Sequence, residues 1–208
     1  MHLVLGLGNP GARYERTRHN AGFLVVDRLA DRHRGRSHSS ARPSAVLEWK
    51  KQHGALVDTV RFADREVVLA KPQSFMNLSG QVGASLRGWY KVENDDVVVV
   101  HDDVDLPFGD VRVKKGGGHG GHNGLRDLVA KLGSGDFVRV RFGVGRPAAG
   151  WDTADYVLAT WTAEEEARVP EIVDLAADAV ERVVAEGPER AMNQINRSAG
   201  SKNKPAAS

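Results

Sequence analysis

Three separated stretches carry polar groups suited to joint chemistry: Asn9 with His19 and Asn20, Asp102 with Asp103 and Asp105, and His122 with Asn123. They supply an imidazole that titrates near neutrality, carboxylates to orient it, and neutral amides that both donate and accept. The chain has no nucleophile-elbow motif and no cysteine. That inventory suits an enzyme in which a histidine activates water against a carbonyl. Asp102 on the second ring nitrogen of His19 would fix the tautomer and stabilise the imidazolium, as in a serine-enzyme triad with water in place of the hydroxyl. That pairing requires the strand before Asn9 and the strand ending at Asp102 to be neighbours. Outside such a pairing, His19 is an ordinary surface or capping residue.

Each motif has competing readings. Gly6-Leu7-Gly8-Asn9-Pro10-Gly11 spells G-x-G-x-x-G after a strand, the dinucleotide fingerprint. Against that reading, Pro10 lacks an N–H for phosphate. Residues 12–18 also intervene before a helix can start, and Asp31 falls on the polar side of that helix. A turn that presents Asn9 is expected instead. Asp102, Asp103 and Asp105, with His19 and His122, would suffice for a divalent metal. Strand alternation turns only one or two of these acids to a common cleft, and Asp103 and Asp105 can simply cap a turn. The expectation is no metal.

The glycine-rich run 116–124 enters a helix but lacks the Gly-Lys-Ser/Thr of a phosphate loop. Asn123 is its natural N-cap, and the helix N-terminus would favour an anion or a developing oxyanion. Residues 71–80 leave a strand and enter a helix, with Asn77 or Ser79 as cap. Phe75 and Met76 there are either core or the apolar wall of a cleft. Arg139 and Arg141 alternate with Val138, Val140 and Phe142, while Arg112 and Lys114 share a face of another strand. If those strands are neighbours, four cations line one surface, which is either a solvated strand face or a phosphate footprint. Lys115, Arg126, Lys131 and Arg146 would extend it.

The elements that must position these groups alternate between strand and helix patterns, which predicts an α/β fold. Strands are expected at 2–7, 55–61, 66–70, 96–101, 110–114 and 137–144, and helices at 20–33, 79–90, 123–132, 163–186 and 188–196. Val97-Val98-Val99-Val100 reads as a strand buried on both faces, with its end where open α/β sheets bind ligands. Residues 31–44, rich in Arg, Ser and His, are expected to form a solvated loop, and 197–208 an unstructured tail.

With 208 residues the chain can bury one core as a single domain. Its net charge is +2 and its pI about 9.0, which permits a polyanionic partner without demanding one. The absence of cysteine excludes disulfides and thiolate metal ligands. The first residues lack the basic start and unbroken apolar run of a secretion signal, and no apolar run is long enough to span a bilayer. A cytoplasmic enzyme is the expectation.

As an ordered set the motifs resemble bacterial peptidyl-tRNA hydrolase. The matching residues are Gly6 to Gly11, Tyr14, Thr17-Arg18-His19-Asn20-Ala21-Gly22, Lys71-Pro72, and Phe75-Met76-Asn77-Leu78-Ser79-Gly80. The match continues through His101-Asp102-Asp103-Val104-Asp105-Leu106-Pro107, Gly116 to Arg126, and Arg139 to Pro147. It covers about residues 1–30 and 66–196. The resemblance implies a monomeric single-domain α/β enzyme with a twisted mixed β-sheet flanked by helices on both faces. Its catalytic domain would occupy 1–196.

The implied reaction is hydrolysis of the ester joining a peptide to the terminal ribose of tRNA, with no metal or cofactor and no membrane. The implied partner is the tRNA acceptor arm with its 5′-phosphate. By resemblance His19 is the general base and Asp102 its orienting anion, and Asn9 distinguishes a blocked from a free amino terminus. Asn77 and Asn123 would hold the peptide and the attacking water. Tyr14 and Phe75 would contact the acceptor end, Met76 would line the peptide cleft, and His122 joins the substrate-binding set. Lys114 and Arg141 would clamp the 5′-phosphate. Residues 33–56 depart from the family in being Arg- and Ser-rich and longer than usual. Gln73 departs where a small residue or a different polar one is common, and the tail beyond Asn196 carries no motif.

Overall fold

The computed structural model describes residues 1–33 and 49–202, with side chains through Arg197. Seven strands form one mixed sheet: β1 (His2–Gly6), β2 (Lys50–Gln52), β3 (Ala55–Phe62), β4 (Arg65–Pro72), β5 (Val97–Asp103), β6 (Val111–Lys115) and β7 (Val138–Gly143), in spatial order β2-β3-β4-β1-β5-β7-β6. The inner four, β4, β1, β5 and β7, run parallel, and the outer strands pair antiparallel. The apolar runs of β1, β4 and β5 (Leu3–Leu5, Val67–Ala70 and Val97–Val100) follow from cover on both faces. On one face Leu3, Leu5, Val97 and Val99 pack with Leu86 of α2 (Ser79–Tyr90) and with Leu125 and Leu128 of α3 (Asn123–Leu132). On the other, Val4, Val98 and Val100 pack with Val25 and Leu29 of α1 (Ala21–His33) and with Ala176 and Val180 of α5 (Ala163–Glu186). Each fully buried Leu or Val contributes about 1.5–3 kcal/mol.

The predicted adjacency of β1 and β5 is observed, with Gly6 beside Val100. β1 is the point where strand order reverses, with β4 on one side and β5 on the other, so a crevice opens at the carboxyl ends of these strands.

The glycines of the first turn serve packing. A Cβ on Gly22 would meet Leu7 N and Val100 O at 2.4 Å, one on Gly6 would meet Gly22 O at 2.3 Å, and one on Gly8 would meet the Phe23 ring at 2.7 Å. α1 therefore lies directly on the sheet, and the 3-10 turns Ala12–Tyr14 and Arg18–Asn20 intervene before it starts at Ala21, so no helix begins directly after the glycine turn as the dinucleotide fingerprint requires.

Among the described strands and α-helices, two were not legible in the pattern: β2, whose Lys-Lys-Gln has no apolar alternation, and α4 (Thr153–Leu158), capped by Asp152. The final helix, α6 (Pro188–Lys202), continues past its predicted end at 196 into the stretch expected to be unstructured. Residues 203–208, and 34–44 of the expected loop, lie outside the described residues; 31–33 belong to α1. On the outermost strand, the Asn196 amide accepts from Val113 N at 3.0 Å and donates to Val113 O at 3.0 Å, covering an otherwise open strand edge.

Candidate active site

Alternation along β5 turns Asp102 toward α1, at the lip where the crevice opens. His19 sits in the 3-10 turn Arg18–Asn20 that feeds α1. That turn is pinned by Arg18, which is 2 % exposed. Its guanidinium donates to Thr160 O at 2.9 Å and Ala159 O at 3.2 Å, pairs with Glu165 at 2.5 Å, and stacks 4.3 Å from the Tyr156 ring. Glu165 also closes the capping box of α5 with Thr162. The start of α5 and the His19 turn are thus one connected unit.

The result is the expected pairing: His19 Nδ1 lies 2.9 and 3.0 Å from the two Asp102 oxygens. A carboxylate beside Nδ1 requires a proton there, so Nε2 carries the lone pair. Burial alone pulls the His19 pKa down, but the charge of Asp102 and its hydrogen bond outweigh it, so the net shift is upward. Burial likewise raises the Asp102 pKa, but His19 and His122 hold it well below the usual carboxylate range.

His122 caps α3, the role the sequence assigned to Asn123. Its Nδ1 accepts from Gly124 N at 3.1 Å and Leu125 N at 3.3 Å, so its proton is on Nε2, which lies 3.1 Å from Asp102 Oδ1. Both ring nitrogens are therefore engaged within the protein, while the ring itself lines the cleft. Asn123 is exposed instead, and its Oδ1 accepts from Arg126 at 3.0 Å.

His101, a residue given no role in the sequence reading, donates from Nδ1 to Asp102 O at 2.7 Å. Its ring centroid lies 5.1 Å from that of His122, and burial pushes its pKa down to about 3. Three imidazoles thus converge on one aspartate. Only the Asp102 motif foreshadows this, since nothing in spacing marks a histidine that a strand end brings alongside.

Asn9 is held on three sides. Its N–H donates to Asn20 Oδ1 at 2.8 Å, its carbonyl accepts from Asn20 Nδ2 at 3.0 Å, and its Oδ1 accepts from Met76 N at 2.8 Å. The last bond fixes which way the amide faces, leaving Nδ2 as the group offered to a ligand. Met76 is buried, while Phe75 and Asn77 are exposed beside it.

Asn9, His19, Phe75, Met76, Asn77, His101, Asp102, Lys114, His122, Asn123 and Arg141 all line one cleft of about 1280 Å³. Tyr14 is half-buried outside that lining, under the Arg13 guanidinium at 4.6 Å.

The expected row of four cations is corrected by the structure. β6 and β7 are neighbours, with Arg112 opposite Arg141 and Lys114 opposite Arg139. However, Arg139 is 3 % exposed and donates to the carbonyls of Gly117 and Gly118, which need a donor where the glycine run folds back. Arg112 donates to Asn196 O at 2.6 Å. Arg141 Nε bonds Asp103 at 2.7 Å, and Lys114 is exposed with no acidic partner among the described residues.

Asp103, one of the acids considered for a metal, is committed to Arg141 and to Asp105 N at 2.9 Å. Among the described residues, the groups that could hold a metal ion are instead His19, Asp102 and His122, whose ligand atoms lie within 4.8 Å of one another. A cation there would replace two N–H···O bonds.

A family model described as peptidyl-tRNA hydrolase matches residues 3–205. Similar chains named peptidyl-tRNA hydrolase include one from Roseiflexus sp. (strain RS-1), 49% identical over 199 residues, covering 94% of this chain and 86% of that one. One from Mycobacterium bovis (strain BCG / Pasteur 1173P2) is 50% identical over 194 residues, covering 93% and 96%. The crystal structure of peptidyl-tRNA hydrolase from Acinetobacter baumannii superposes with a TM-score of 0.83 at 34% identity, covering 94% of each chain. By sequence and by fold, this chain belongs to the peptidyl-tRNA hydrolase family.

Proposed function

We propose that this chain hydrolyses the ester between a peptide, or an N-blocked aminoacyl group, and the terminal ribose of tRNA, using water activated by His19 and no metal. The observation that carries this reading is the His19–Asp102 pair, with Nδ1 protonated and Nε2 facing the cleft. Nε2 takes a proton from water as its oxygen adds to the ester carbonyl. The tetrahedral adduct then collapses, the C–O bond to the ribose breaks, and the imidazolium returns its proton to the leaving oxygen. A base so placed contributes ~10²–10⁴ in rate. An aminoacyl ester is far easier to cleave than an amide, so this apparatus suffices.

Asn9 supplies the discrimination. Because Oδ1 is occupied by Met76 N, only N–H donors face the ligand. A blocked terminus offers a carbonyl to them, whereas a free ammonium is donor-only and would lose its hydration without an acceptor. Asn77 and Asn123 hold the peptide backbone and the water, Met76 lines the peptide side, and Tyr14 and Phe75 meet the acceptor end. Lys114 and the Nη groups of Arg141 receive the 5′-phosphate. Residues 1–196 form the catalytic unit, which acts as a cytoplasmic monomer.

The test is incubation with N-acetyl-aminoacyl-tRNA and its unacetylated counterpart, with and without chelator, for wild type and His19→Ala. Cleavage of the acetylated substrate alone, undiminished by chelation and lost in the variant, is expected. Loss on chelation would favour a metal-dependent hydrolysis, with the ion held by His19, Asp102 and His122.

A further inference from the structure

Trp151 is a large apolar side chain left 47 % exposed in the wall of the reactive cleft, and nothing above uses it. It lies on the segment between β7 and α4, which is tied down at both ends. At its start, Val144 N donates to Asp103 O at 3.0 Å, Gly145 N donates to Leu106 O at 2.9 Å, and Arg146 pairs with Asp105 at 2.7 Å. The segment is thereby bound to the end of β5. At its far end Tyr156 is buried, donates its hydroxyl to Val144 O at 2.6 Å, and lies under the Arg18 guanidinium that anchors the His19 turn.

The Trp151 indole packs edge-to-face on Tyr156, with centroids 5.3 Å apart and planes at 81°, and Trp151 N donates to Ala148 O at 3.1 Å. Backed by a buried ring and closed by a turn, the indole is a braced plate rather than a loose side chain.

Its place in the sheet says what it meets. The segment leaves β7, on the β6 side of Asp102, where Lys114 and Arg141 stand. Phe75 and Met76 leave β4, on the opposite side. The segment then returns to the His19 turn through α4. A substrate with its phosphates at Lys114 and Arg141 and its ester at His19 would bring unpaired nucleotides into the cleft that Trp151 also lines. Every base has a face that an indole can cover, whatever the sequence.

We propose that Trp151 is a stacking platform for a nucleobase of the unpaired 3′ strand of the tRNA acceptor arm, between the cationic residues and His19. This rests on the substrate reading given above.

The test measures binding by fluorescence anisotropy, independently of turnover. One probe is a 5′-phosphorylated acceptor-stem hairpin ending in unpaired CCA. The other has abasic sites at the unpaired nucleotides and so keeps every phosphate. Trp151→Ala is expected to weaken binding of the first about 5- to 150-fold and Trp151→Phe to recover most of it. Wild type should lose a similar factor on the abasic probe, to which Trp151→Ala should be indifferent. On N-acetyl-aminoacyl-tRNA, Trp151→Ala should raise KM and leave kcat unchanged.

Equal binding of both probes by wild type would overturn the proposal without reference to any variant. So would an equal loss on both probes in Trp151→Ala, or a KM effect that follows the peptide's side chain and not the nucleotides. If wild type hydrolyses nothing, the functional reading fails on its own, and the two-probe comparison still decides whether the indole stacks on a base.

Discussion

The Nε2 of His122 lies 3.1 Å from Asp102 Oδ1, one of the two oxygens that face His19 Nδ1, while its own Nδ1 caps α3. One side chain therefore sets both where a helix begins and how the charge of the aspartate is shared. These roles separate by substitution. Asn is a good N-cap but too short to reach Asp102, so His122→Asn should retain stability while His122→Ala loses about 1 kcal/mol. In His122→Asn the carboxylate is left to His19 alone, which raises the His19 pKa further. The acid limb of the kcat/KM profile should then move to higher pH. An unmoved limb would show that His122 is only a cap.

Removing the imidazole should abolish turnover. His19→Ala is expected to lose about 10²–10⁴-fold in kcat with substrate binding retained. Asp102→Asn should lose kcat substantially as well, since the tautomer is no longer dictated. Because Asp102 raises the His19 pKa, wild-type activity should rise with pH through a midpoint above the ordinary histidine value. In Asp102→Asn, where burial acts unopposed, the midpoint should move down. A midpoint that stays put would separate the measured titration from His19.

Close approach of α1 to the sheet sets the distance from His19 to Asp102. With only 2.4 Å available for a Cβ at Gly22, Gly22→Ala must push the helix away. We expect a destabilisation of about 1–3 kcal/mol by denaturant titration, together with a fall in kcat larger than that in KM. Wild-type kcat in a destabilised Gly22→Ala would refute the link between packing and geometry.

His101 should make the fold acid-sensitive. Its pKa falls to about 3 on folding, against about 6.5 unfolded, so the unfolded chain binds the extra proton between these values. The stability it contributes is present above pH 6.5 and drains away as pH falls toward 3. His19, shifted upward, acts in the opposite sense, losing its contribution as pH rises through its folded value. The comparison is therefore wild type against His101→Asn, by urea midpoint from pH 7 to 5. The variant should show the shallower decline, and parallel curves would contradict the burial argument.

Lys114 has no acidic partner among the described residues, whereas Arg141 shares its Nε with Asp103. Lys114→Ala should therefore weaken tRNA binding and reduce its salt slope by about 1. A slope identical to wild type would remove Lys114 from the phosphate contact.

Much of this was written in local pattern. Val97 to Val100 read as a strand covered on both faces, and 163–186 as a helix, because periodicity and apolar character are properties of neighbouring residues. The pairing of His19 with Asp102 followed once β1 and β5 were taken as neighbours.

Other features depended on partners distant in the chain. Arg139 looked like a surface cation until the glycine run placed carbonyls around its guanidinium. Asn123 looked like a cap until His122 proved able to reach both the helix and Asp102. Trp151 carries no periodic signal, since its loop is shaped by bonds to Asp103, Leu106 and Tyr156. Sequence alone determined which residues could do chemistry and in which elements they lay. Tertiary structure decided which of their atoms remain free to do it, because hydrogen bonds and ring contacts across the fold, rather than residue type, leave a given nitrogen occupied or open.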